Sequence, residues 1–244
     1  MSRFLPVFLA AALAASASSA ASVVPVAYAD LTDSVQIDLS PLNAPAVPGA
    51  TFDRVIDLDG VKIAERFAGQ VLGQTGTFDT ISGTPTGPLT LVAGAPGANV
   101  TVVDLGIDVI VGSGPSGFPN IDAFGEGALS FLFDEDTSRF GFRVAGAGGA
   151  GAVPGTLKAE FFSRDGTLLG EIEDTLVDGA RLGFATVSGM ATIAGVTITN
   201  ADPEGIGLLE ILYDRPAPVP LPLPLALLAT AVLGLGIMRR GRRA

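Results

Sequence analysis

Apolar residues in this chain come in short runs, each bounded by Gly, Pro, Asp, Asn or Ser. Twelve runs read as strands: residues 51–57, 61–67, 89–92, 99–105, 108–111, 128–133, 139–144, 157–162, 167–172, 181–187, 192–199 and 207–213. Several alternate with the period of two that a half-buried strand requires. Phe140 and Phe142 fall on one face, with Arg139, Gly141 and Arg143 on the other; Val196 and Ile198 oppose Thr197 and Thr199. Ser163-Arg164-Asp165-Gly166 stands between two runs, and Asp-Gly in that setting is a strong hairpin signal. Residues 145–152 (AGAGGAGA) carry no side chains that could build a core and read as a loop. Helical periodicity is weak in the body, with one short helix expected near 173–178. Short strands at this spacing predict an all-β, antiparallel β-sandwich of jelly-roll-like form.

The two ends follow other patterns. Arg3 precedes an apolar stretch, residues 4–15, too short to span a bilayer comfortably, and small residues follow it. This is the form of a secretory signal helix. Cleavage fits after Ala20, Ala21 or Ala29, and Ala27-Tyr28-Ala29 has the A-x-A form. At the other end Pro216, Pro218, Pro220, Pro222 and Pro224 alternate and predict an extended stem. Residues 225–238 are uncharged and rich in Leu and Ala; as a helix they reach about 21 Å, short for a bilayer core of about 30 Å. Arg239, Arg240, Arg242 and Arg243 then stop transfer and stay on the cytoplasmic side. The expected organisation is a signal peptide at 1–29, an acidic β-sandwich at 30–214, a Pro-rich stem with its motif at 215–224, and a transmembrane helix with an Arg-rich end at 225–244.

This tail resembles the PEP-CTERM class of sorting signals, in its VPLPA-CTERM form. Val219, Pro220, Leu221 and Pro222 carry the match, while Leu223 stands where that variant usually has Ala. The resemblance implies an exosortase-like membrane protease or transpeptidase as partner, with a cut near the Pro motif. The body, across residues 60–214, also resembles domains that precede such tails, for example in GALSFLFDEDTSRFGFRVAG (127–146) and GVTITNADPEGIGLLEILYD (195–214). It implies a jelly-roll sandwich, Sec-dependent export, transient membrane anchoring through the C-terminal helix and delivery to the cell surface or extracellular matrix. Exopolysaccharide is then an expected neighbour.

Charge sharpens this picture. All 25 acidic residues lie between Asp30 and Asp214, and residues 30–218 hold nine basic residues, a net of −16. Such a field repels nucleic acid and anionic lipid, and it attracts cations. His, Cys and Trp are absent. A Ser-His-Asp site cannot be built, nor can disulfides or a lipid-bearing cysteine.

The chemistry left is that of oxygen. Structural calcium is the cofactor to consider, since it takes carboxylate, amide and carbonyl ligands. One candidate cluster is Asp134-Glu135-Asp136; the other is Asn200, Asp202 and Glu204, with Asp57 and Asp59 as further ligands. Neither has the spacing of an EF-hand loop, and acidic residues solvated at strand ends are the alternative. A carboxylate-dependent glycoside hydrolase of envelope polysaccharide is the enzymatic alternative to a binding or structural module. A permanently anchored surface protein is the alternative to a sorted one.

Overall fold

A computed structural model describes residues 23–146 and 155–215. Residues 1–22 of the expected signal peptide, the expected sorting motif Val219–Pro222, the expected helix and Arg-rich end at 225–244 and most of the Gly-Ala run lie outside the described residues. Among the described residues no helix is long and apolar enough to cross a membrane.

The described chain is all-β with antiparallel sheets. It opens with β1 (Val23–Val26), β2 (Val35–Gln36), β3 (Ala50–Phe52), β4 (Ile56–Leu58), β5 (Val61–Ala64) and β6 (Arg66–Phe67). Next come β7 (Val71–Thr75), β8 (Phe78–Ser82), β9 (Leu91–Val92), β10 (Val100–Asp104), β11 (Asp108–Gly112) and β12 (Leu129–Thr137). It closes with β13 (Arg139–Ala145), β14 (Thr156–Phe162), β15 (Leu168–Thr175), β16 (Arg181–Thr186), β17 (Ile193–Asn200) and β18 (Gly207–Tyr213). One sheet runs β1-β16-β13-β18-β11-β10-β3, with β2 also paired to β18; the other runs β15-β14-β17-β12-β5-β4.

The two sheets share one core. Phe140, Phe142, Phe184 and Leu208 of the first meet Phe131, Phe133, Phe161 and Val196 of the second, all buried. Aromatic contacts link the layers: Phe131 to Phe140 at 5.6 Å, Phe133 to Tyr213 at 5.2 Å and Phe161 to Phe184 at 5.1 Å between ring centroids. The expected alternation of β13 holds, with both its phenylalanines in this core.

The β14–β15 hairpin forms at Ser163–Gly166 as expected. Gly166 takes φ +85°, and its N–H donates to Ser163 O at 2.9 Å. The Asp165 carboxylate accepts from Ser163 Oγ at 2.5 Å and Thr167 N at 3.1 Å, which closes the turn.

Three of the expected elements need correction. Residues 173–178 form no helix: β15 continues to Thr175, and Leu176 then buries in the core. The run 51–57 is two strands in different sheets, β3 and β4, separated by a bend at Asp53-Arg54. There Asp53 Oδ1 turns away to accept from Gly97 N at 2.8 Å and Asn99 Nδ2 at 2.9 Å. The run 61–67 breaks at Glu65, and β6 leaves the sheet to pair with β9.

Segment 65–92 crosses the outer face of the second sheet. Phe67 and Leu89 bury there with Phe162 and Ala194 in a second small core. For this reason β17 is buried on both faces. Thr197, expected to face water, is 1% exposed and shares a 2.9 Å hydrogen bond with Ser130.

Candidate functional site

The carboxylates singled out in the sequence fall into two separate places. Asp57, at the centre of β4, and Asp134, in β12, are brought together by Lys62 of β5. Its Nζ donates to Asp134 Oδ1 at 2.8 Å and lies 3.4 Å from Asp57 Oδ1. Antiparallel pairing dictates this, since Lys62 is in register with both Asp57 and Leu132. Asp136 is held by Arg164 of the hairpin, with Nη2 at 2.6 Å and Nε at 3.0 Å. Asp59 is held by Arg215, whose Nη2 donates to Oδ2 at 2.8 Å. Asp57, Asp59, Asp134 and Asp136, four of the candidate calcium ligands of this edge, thus each already face a cation.

Asn200, the last residue of β17, lies elsewhere with Asp202 and Glu204 of the turn that follows it. Asp202 is buried and organises the turn: its Oδ1 accepts from Glu204 N and its Oδ2 from Gly155 N, both at 3.1 Å. Asn200 Nδ2 donates to Gly125 O, and its Oδ1 accepts from Asp202 N at 3.1 Å. Asp57 and Asp59 join Asp134, not this turn. Among the described residues no group of three or more acidic side chains is arranged to hold a metal ion.

The acidic edge contains a cleft of about 240 Å³ lined by Asp59, Gly60, Asp134, Glu135, Tyr213 and Arg215. It lies where the described chain ends. Arg215 Nε donates to Tyr213 Oη at 3.2 Å, and Tyr213 Oη donates to Asp59 O at 3.3 Å. One residue earlier, Asp214 is clasped by the β12–β13 turn. Its Oδ1 accepts from Arg139 N at 2.7 Å, Ser138 N at 2.8 Å and Thr137 Oγ1, and its Oδ2 accepts from Ser138 Oγ at 2.5 Å. Burial opposes the charge on Asp214. The hydrogen bonds from Ser138, Thr137 and the Arg139 backbone outweigh burial and hold the carboxyl below its usual range. Asp214 and Arg215 therefore fix the end of β18 to both sheets, immediately before Pro216.

Two groups carried no signal strong enough to mark them in the sequence. Glu65, Asp79 and Glu126 are acidic yet buried. Glu65 pairs with Arg66, while its Oε1 has no hydrogen-bond partner. Burial foremost, with Glu126 nearby, pushes the Asp79 carboxyl up to about 6; the Ala128 N–H at 3.2 Å and Arg66 oppose that rise. Glu210 is the second. It takes φ +48° where β18 bulges against β13, a conformation that costs a non-glycine residue about 1 kcal/mol or more. Its carboxylate receives Arg143 at 3.1 Å and Arg181 at 3.2 Å. A lone Glu inside the apolar run GLLEILY was the only trace of it.

No protein family, curated protein or solved structure matches this chain.

Proposed function

We propose that this is an exported cell-surface or extracellular-matrix protein, sorted through its C-terminal tail by an exosortase-like membrane protease or transpeptidase. Its body is a jelly-roll-like β-sandwich that serves as a binding or structural module of the exopolysaccharide layer rather than as an enzyme. An N-terminal signal helix directs Sec-dependent export. A C-terminal membrane helix parks the exported body at the membrane until the tail is cut.

The observation that carries this reading is the order of segments after Arg215: alternating prolines, a barely bilayer-length apolar stretch, then Arg239, Arg240, Arg242 and Arg243. The place where the body stops supports it. The last strand ends at Tyr213, Asp214 and Arg215 are fastened, and the proline stem begins at the next residue. Val219 lies four residues beyond Arg215, which in polyproline geometry is roughly 12 Å of chain. That distance leaves a protease access to the motif without loosening a strand. The charge asymmetry agrees: an acidic body does not adhere to anionic lipid, and a basic end does.

Fractionation of the host with and without its exosortase tests the reading. The expected result is a shortened protein outside the cell in the parent and a membrane-held, full-length protein in the deletion strain. A folded body found in the cytosol of both strains would overturn it.

A further inference from the structure

Residues 23–31 are built into the body, although a cut at the A-x-A form Ala27–Ala29 would place residues 23–29 in a leader. β1 pairs with β16 from Val23↔Thr186 to Val26↔Gly183. It covers the edge of the first sheet and reaches the outer strand of the second: Val23 is buried, and a Cβ at Gly170 of β15 would come within 3.4 Å of Val23 N. Tyr28 follows, donating from Oη to Glu210 O at 2.6 Å, with the Arg181 guanidinium 5.9 Å from its ring centre. Leu31 is buried against Gly141.

The strands beneath this segment carry glycine where it lies on them. At Gly183 a Cβ would stand 2.9 Å from Val26 O and 3.2 Å from Tyr28 N and Cα. At Gly141 it would meet Leu31 and stand 3.3 Å from the Tyr28 ring. These glycines leave room for residues 26–31, room that a mature chain starting at Asp30 would not need at Gly183.

We propose that the signal peptidase cuts before β1, after Ala20 or Ala21, so that the mature protein begins at Ala21 or Ser22. This rests on the export reading above. Both positions satisfy the requirement for small residues at −3 and −1, with Ser18 and Ala20 or Ser19 and Ala21. Both also follow the apolar stretch 4–15 closely, as a cleavage site should. A cut after Ala29 would strip the edge from β16 and remove the Tyr28 hydroxyl from Glu210, the residue whose backbone is already strained.

N-terminal sequencing of the protein recovered from outside its host is the test. A start at Ala21 or Ser22 is expected. A start at Asp30 overturns the inference and leaves export standing; a chain still beginning at Met1 overturns both. A second measurement does not depend on sequencing. Gly183→Ala, introduced in the full chain, should lower the Tm of the exported protein by roughly 3–6 °C because its Cβ meets Val26 and Tyr28. An unchanged Tm would mean that those residues are gone.

Discussion

Arg215 Nη2 donates to Asp59 Oδ2 at 2.8 Å, so the end of the described chain is tied to the end of a strand 156 residues earlier. With Asp214 held by the 137–139 turn, the chain is fastened on both of its last two described residues, immediately before Pro216.

Asp214→Ala should cost about 2–4 kcal/mol in urea denaturation at neutral pH, because two backbone N–H groups and two hydroxyls lose a charged acceptor. The pH dependence has a definite sign. The folded carboxyl titrates below the ordinary 3.8 of an aspartate, so its contribution is present above that value and is lost as pH falls through the folded pKa. The gap between parent and variant should therefore close in strong acid. A gap that persists unchanged there would refute the clasp.

Asp79 has the opposite sign. Its folded pKa of about 6 exceeds the ordinary 3.8, so the fold prefers the protonated acid. The stability this gives is complete below about 3.8 and is lost as pH rises through 6. Asp79→Asn keeps an acceptor for the Ala128 N–H and removes the charge. Its Tm should exceed that of the parent by about 2–5 °C at pH 7.5 and match it near pH 4.

The hairpin at Ser163–Gly166 and the inward phenylalanines of β13 were legible in the sequence because each depends on neighbours a few residues away. β7 was not: all five of its residues are exposed, so no alternation marks it. The burial of Thr197 was hidden for a different reason. It depends on segment 65–92 folding across the outer face of β17, a contact between residues more than 100 positions apart. The acidic edge was half legible. The carboxylates of Asp57, Asp134 and Asp136 stood out, but their partners Lys62 and Arg164 are set by strand register and by the hairpin. Nothing in the sequence sets Glu65 and Asp79 apart from the other acids, because burial is a property of the covering chain.

Gly195→Ala tests that covering. A Cβ at Gly195 would run into the Phe67 ring and stand 2.9 Å from Leu89 Cδ1. Overpacking there should destabilise by about 1–3 kcal/mol in denaturant titration. No loss would mean that segment 65–92 does not lie on β17.

Phe161→Ala probes the joint between the sheets. Phe161 is fully buried, 5.1 Å from Phe184 across the core. The cavity should cost about 3–5 kcal/mol by chemical denaturation. A cost under about 1 kcal/mol would contradict a shared core.

The mass of the mature protein, taken intact from the outside of its host, bears most directly on how this chain reaches its destination. A C-terminus inside or just after residues 219–222, with every terminal arginine missing, is the predicted result. A mass that still includes Arg239, Arg240, Arg242 and Arg243 would contradict sorting and leave a permanent anchor in its place.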